Sequence, residues 1–312
     1  MRIDADDTRA AVTARASLAA GRLSRLWGQK GLGTILATLG RVPGAAGGRV
    51  RVEFEPGCTF ELDPLEPYWG PTVMGGRPYE PELARVIERL APLDPVFIDC
   101  GANFGYWSVV ASGPRHRISR VLAIEPNPTT FAHLARNAAL NENRFRCLER
   151  AVSEQSGERL VLELVESHAV ARLGQHPGAQ GHTVLTTRLE DAIREAGYSG
   201  TESFLVKLDV EGHEHAALRG AGSLASVDSV FVLEDFSKRD YPMLRQCDLR
   251  RWTVFYPHAD GRLSHADSID AVRRLVGMEH READTQNLVL TCGRGALVDV
   301  VRRWAGLPPR GA

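Results

Sequence analysis

Four short apolar runs constrain this chain of 312 residues more than any other feature. PVFIDC (95–100), SRVLAIEP (119–126), SFLVKLDV (203–210) and DSVFVLED (228–235) are apolar at consecutive rather than alternate positions. That is the pattern of central parallel strands buried on both faces. Helical patterns lie between them: PTTFAHLARNAALN follows the second run, TTRLEDAIREAG precedes the third and HEHAALRGAGSLA follows it. Such alternation requires βαβ crossovers, so the spacing predicts an α/β chain with a doubly wound, mostly parallel sheet.

Each run closes on an acid: Asp99, Glu125, Asp209 and the pair Glu234/Asp235. In open α/β sheets ligands bind beyond the carboxyl ends of the strands, which places all of these carboxylates on one rim. An acid after a strand also serves as a helix N-cap or a solvated loop residue, a reading that weakens when all four strands share it. After the first run comes Asp99-x-Gly101-x-x-x-Gly105, with Ala102, Asn103 and Phe104 between the glycines and the helical YWSVVA beyond. Glycine admits left-handed backbone and close approach of a ligand. A dinucleotide fingerprint would carry glycine two positions before Gly101, where this chain has Asp99. An acid there disfavours a pyrophosphate and suits the cationic S-adenosylmethionine. Glu125 is placed to accept hydrogen bonds from ribose hydroxyls.

Composition excludes some partners. Formal net charge is -1 and the pI is near 6.8, which gives no general electrostatic drive toward nucleic acid. Five cysteines, Cys58, Cys100, Cys147, Cys247 and Cys292, form no C-x-x-C pair, so neither a disulfide framework nor a zinc knuckle is expected. No apolar run reaches membrane-spanning length and no secretory signal is evident, so a cytoplasmic location is expected. The first fifty residues differ from the rest, with eight Arg/Lys against three Asp. Within them, residues 8–27 read either as a partly disordered or loosely docked helix, or as a basic amphipathic segment touching an anionic membrane or a partner. The expected division is a basic extension over 1–48, strands and a helix packing on the core over 49–95, the main domain over 96–300 and a tail over 301–312. RVRVEF and CTFEL alternate as half-buried strands, DPLEPYWGPTVMGGRPYEP reads as a loop, and PELARVIERLA as a helix.

The segments FIDCGANFGYWSVVA, VLAIEPNPTTFAHLARNAALN, RAVSEQSGE, TTRLEDAI and LVKLDVEGHEHAALRGA occur in that order over residues 95 to 240. In this the chain resembles the FkbM-type methyltransferases, which use S-adenosylmethionine. The resemblance implies a class I, Rossmann-like methyltransferase fold with a seven-stranded sheet whose last strand is antiparallel. It implies O-methylation of a sugar, glycan or secondary-metabolite hydroxyl. RWTVFYPHADGRL and TQNLVLTC look like its closing hairpin. It places residues matching Asp99, Gly101 and Gly105 along the methionine part of the cofactor, Glu125 at the ribose, and Ala151, Val152 and Ser153 beside the adenine. The expected cofactor set is Asp99, Gly101, Ala102, Asn103, Gly105, Glu125, Pro126, Ala151, Val152 and Asp209.

An aliphatic or sugar hydroxyl must lose its proton as it is methylated, and histidine is the usual base near neutral pH. His213, four residues beyond Asp209, is the first choice, with His215 second and a purely structural role as the alternative. A second route uses Asp209, Glu234 and Asp235 to hold Mg2+, which would lower the acceptor's pKa; Glu211 and Glu214 serve equally well as an acidic first helical turn. Tyr68, Trp69, Arg77, Tyr79, Phe236 and Tyr241 are either acceptor-stacking residues or loop anchors. A nicotinamide-dependent dehydrogenase is disfavoured by Asp99. A scaffold that keeps the fold without the chemistry, recruited through its basic head, is the remaining alternative.

Overall fold

The computed structural model describes residues 2–6, 10, 12–15, 18–19, 48–76, 78–164, 171–174, 181–234, 251–258, 260–278 and 287–310. They form two compact units, Met1–Tyr79 with Ala135–Asn143, and Glu80–Leu134 with Arg144–Ala312.

In the first unit, β1 (Arg2–Ala5), β2 (Val50–Glu55) and β3 (Cys58–Leu62) make an antiparallel sheet in that order. Alternation of apolar and polar residues puts Val50, Val52, Phe60 and Leu62 on the buried face, as the sequence predicts. β1 was not foreseen: the head was expected to be helical or disordered, yet Arg2–Ala5 pairs with Val50–Glu53. Most of the basic segment 8–27 and the Gly-rich stretch after it lie outside the described residues. Asn137 and Asn141 stitch residues 135–143 to β3. Asn137 Oδ1 accepts from Glu61 N at 2.7 Å, and Asn141 both accepts from Thr59 N at 3.0 Å and donates to Thr59 O. The stretch expected as a loop contains a π-helical turn, Gly70–Met74, all five residues of which are buried. Val73 and Met74 turn inward together with Thr72, and Trp69, 3% exposed, packs on Phe60 and Tyr79. Trp69 is therefore an anchor within this unit, while Arg77, Phe236 and Tyr241 lie outside the described residues.

The second unit is built on β4 (Val96–Cys100), β5 (Arg120–Ile124), β6 (Arg146–Leu148), β11 (Phe204–Leu208), β12 (Ser229–Glu234), β13 (Thr253–Pro257), β14 (Leu263–Ala266) and β15 (Asn287–Cys292). Their order is β14-β13-β15-β12-β11-β4-β5-β6. The five strands from β12 to β6 are mutually parallel, and β15 runs antiparallel between β12 and β13. The doubly wound, mostly parallel sheet is thus as expected, with eight strands rather than seven. The extra strand forms because the chain turns back at Gly261, whose φ of 90° is left-handed, and lays β14 against β13. A small sheet, β7 (Ala151–Val152), β10 (Gly181–Thr187), β8 (Arg159–Leu164) and β9 (Ala171–Gly174), stands apart from the main one.

The predicted helices appear as α1 (Pro81–Leu90), α2 (Tyr106–Ser112), α3 (Pro128–Leu140), α4 (Leu189–Glu195) and α5 (Glu214–Arg219). On α1, Leu83, Val86, Ile87 and Leu90 are buried, the face its periodicity marks. One face of the sheet, with Ile98, Ile124, Phe204, Val206, Phe231 and Leu290, packs on Leu189, Ile193, Ala217 and Leu224 from the helical layer. Among the described residues no helix is long and apolar enough to cross a membrane.

Candidate active site

The parallel register aligns the tips of β5, β4, β11 and β12, since Cys100 pairs with Ile124 and Leu208, and Leu208 with Leu233. Asp99, Glu125, Asp209 and Glu234 therefore share one rim, as the strand endings predict. The loop after β4 is held left-handed at three of five positions: Gly101 (φ 71°), Asn103 (φ 52°) and Gly105 (φ 90°). A side chain at Gly101 would place Cβ 1.7 Å from the Asp209 carbonyl oxygen, and one at Gly105 would reach 2.6 Å from Leu134 Cδ1. Both glycines thus serve the close packing of the loop on its neighbours, in addition to the turn itself.

Glu125 closes this loop. Its Oε2 accepts from Asn103 N and its Oε1 from Asn127 N, both at 2.9 Å. Each carboxylate oxygen keeps a second acceptor position, which fits two ribose hydroxyl donors. Burial lifts this carboxyl to about 7 despite the two N–H donors. Asp99, 1% exposed, accepts from Ser108 Oγ at 2.8 Å through Oδ2, while Oδ1 has no hydrogen bond and lies 3.6 Å from Lys207 Nζ. Burial raises its pKa against the pull of Lys207. An orphaned buried acceptor beside a glycine loop fits a cationic cofactor.

Lys207 is the hub of the rim. It sits opposite Asp99 in the register, donates to Asp209 Oδ2 at 3.0 Å and reaches the Gly101 carbonyl at 3.4 Å. Burial alone would push this ammonium down; Asp209, Asp99 and Glu80 outweigh it and hold the pKa well above its ordinary value.

Glu80 is the residue that sequence reasoning missed. Carboxylate oxygens of Glu80, Asp209 and Glu234 lie within 4.8 Å of one another. Glu80 arrives there in a left-handed conformation (φ 40°, ψ 66°) just before Pro81 opens α1. Trp107 Nε1 donates to its Oε2 at 2.5 Å and Asn287 Nδ2 to its Oε1 at 3.1 Å. Burial raises Glu80 to about 7, Asp209 adding to the rise and Lys207 opposing it; burial with Asp209 and Glu80 raises Glu234 to about 9. Crowded like charges share protons in this way. The only hint in the sequence was Glu-Pro at the start of an amphipathic helix directly before the first core strand.

The structure does not bring the expected base to this cluster. His213 Nε2 lies 3.0 Å from Ser153 Oγ, next to β7, and burial lowers its pKa. Glu214 instead organises the loop after β11, its Oε1 accepting from Val210 N and Gly212 N. Of the expected magnesium set, Asp209 and Glu234 come together. Asp235 lies outside the described residues, and the third carboxylate is Glu80. With an ammonium already on Asp209 and N–H donors on both oxygens of Glu80, these groups suit a proton better than a hard divalent ion, whose ligands are oxygens free of competing cations.

Fold and rim together define a methyltransferase. Residues 99–246 match the methyltransferase FkbM domain. The hexuronic acid methyltransferase AglP of Haloferax volcanii is 30% identical over 175 residues, covering 55% of this chain and 68% of that one. The methyltransferase sdnD of Sordaria araneosa is 29% identical over 159 residues, 41% of this chain and 61% of that one. Among solved structures, a precorrin-6y C5,15-methyltransferase of Geobacter metallireducens aligns at TM-score 0.34 and 10% identity, over 68% of this chain and 87% of that one. The chain belongs to the FkbM methyltransferase family, whose methyl donor is S-adenosylmethionine.

Proposed function

We propose that the protein transfers a methyl group to a hydroxyl of a sugar, glycan or secondary-metabolite acceptor. The observation that carries this reading is the meeting of a cofactor-type loop, tied by Glu125, with a proton-sharing carboxylate trio at the adjacent strand tips. The similarity to a hexuronic acid methyltransferase supports the sugar end of this acceptor class.

Bound S-adenosylmethionine supplies an electrophilic methyl group on a sulfonium. Asp99 and the loop Gly101, Ala102, Asn103 and Gly105 would hold its methionine part, Glu125 with Pro126 its ribose, and Ala151, Val152 and Ser153 its adenine side. His213, hydrogen-bonded to Ser153, belongs with that last group in this reading. Methyl transfer is an in-line displacement, so much of the acceleration comes from orienting the acceptor oxygen. Glu80 orients it by accepting its one O–H hydrogen bond, with Asp209 and Glu234 alongside. As the O–H bond breaks, its electron pair stays on oxygen and the proton passes to Glu80, which has a free acceptor position on each oxygen. Lys207 stays hydrogen-bonded to Asp209 at 3.0 Å and supplies the positive charge beside the trio.

The test is to incubate the protein with isotopically methyl-labelled S-adenosylmethionine and a panel of uronic acid glycosides, neutral glycosides and hydroxylated polyketides, reading O-methyl products by mass spectrometry. With the acceptor found, Glu80→Gln should lower kcat by about 100-fold or more and leave binding of S-adenosylhomocysteine unchanged. An unaltered kcat would place proton removal elsewhere.

A further inference from the structure

A concavity of 580 Å³ is lined by none of the methyl-transfer rim residues. Its wall is assembled from distant segments: Glu154 beyond β7, Arg188 before α4, His215 and Arg219 on α5, and Arg251 with Trp252 before β13. Three guanidinium groups thus converge on one hollow of a chain whose overall formal charge is -1.

Partners inside the hollow do not balance this charge. Arg219 is paired with Glu154 and lies against the His215 ring. Arg188 reaches Glu190 at 3.2 Å. Arg251 makes no hydrogen bond or ion pair among the described residues. Glu154 is the one carboxylate among the hollow's described lining residues, against three arginines, and among the described residues most of their guanidinium N–H groups have no acceptor. Trp252, 8% exposed and set edge-on against Phe231, gives the hollow a rigid apolar wall. Planar donor forks gathered around a hollow of small-molecule size can recognise oxyanions bidentately.

We propose that this hollow is a binding site for an oxyanion, a phosphate or carboxylate carried by a small molecule, with Arg251 and Arg188 as its principal donors. It is separate from the methyl-transfer site and does not depend on the proposed acceptor.

The test is thermal unfolding and calorimetry of the full chain saturated with S-adenosylhomocysteine, so that the cofactor site is closed to the probe. Inorganic phosphate is compared with sodium chloride at matched ionic strength, and glucose 1-phosphate with glucuronate to tell the two carriers apart. Phosphate should raise the unfolding midpoint above the chloride control, and the double variant Arg188→Ala, Arg251→Ala should weaken phosphate binding roughly tenfold while retaining S-adenosylhomocysteine affinity. The His215 ring resonances should shift on phosphate addition in the wild type. Phosphate indistinguishable from chloride with an unmoved His215 would overturn the proposal, as would undiminished binding by the double variant. Should the double variant fail to fold, Arg251→Gln alone serves, with the same prediction.

Discussion

The carboxylates of the rim are set by burial first and by neighbouring charge second, and each has its own consequence. Glu125→Ala removes acceptors for two loop N–H groups as well as for the ribose. It should weaken S-adenosylhomocysteine binding by about tenfold or more by calorimetry. Glu80 and Glu234 carry folded-state pKa values of about 7 and about 9, raised above the ordinary glutamate value. Groups raised in this way stabilise the fold fully below their unfolded pKa and lose that contribution as pH climbs through the folded one. Stability of the cofactor-free protein should fall between about pH 4.5 and 9, and Glu234→Gln should flatten that slope in urea melts; an unchanged slope would contradict the shared-proton cluster. Methyl transfer should run the other way, rising with pH as Glu80 deprotonates. Asp99, Glu125, Asp209 and Glu234 were legible because each ends a strongly apolar run. Glu80 was not, because its proximity to Asp209 is created by folding a segment far upstream, and in sequence it looks like any loop acid before a helix.

Elements place these residues with little slack. The loop after β4 rests on the carbonyl of Asp209, so Gly101→Ala forces either the loop or the tip of β11 to move. It should destabilise by more than about 3 kcal/mol in urea unfolding and abolish cofactor binding together with stability. In the first unit, Asn137 and Asn141 satisfy backbone N–H groups of β3 from the helix side. Replacing either with Ala should cost about 1–3 kcal/mol; a loss below about 0.5 kcal/mol would mean that water takes over the role. Strands buried on both faces announced themselves by unbroken apolar runs, and the helices by their period. Less visible were β1, whose polar sequence pairs only because β2 offers an open edge, and the turn Gly70–Met74, whose Gly and Pro signal a loop while its burial makes it core.

At the scale of the molecule, the same physics separates what pattern reveals from what only folding brings together. The cofactor loop was legible because it occupies one contiguous strand, turn and helix, and the family because its segments keep their order over residues 95 to 240. The proton-accepting trio and the arginine hollow each gather residues from segments far apart in sequence, so no local pattern carries them. If Lys207 supplies the positive charge at the trio, methyl transfer should proceed unchanged after chelation by EDTA and without added magnesium; a strict metal requirement would reassign the three carboxylates as ligands. The central claim is that the β4–β5 rim holds S-adenosylmethionine, and calorimetric titration with S-adenosylhomocysteine tests it most directly. Wild type should bind with a dissociation constant on the order of micromolar, Gly101→Val should not bind and Glu125→Ala should bind about tenfold or more weakly; absence of binding by the folded wild type would contradict the account.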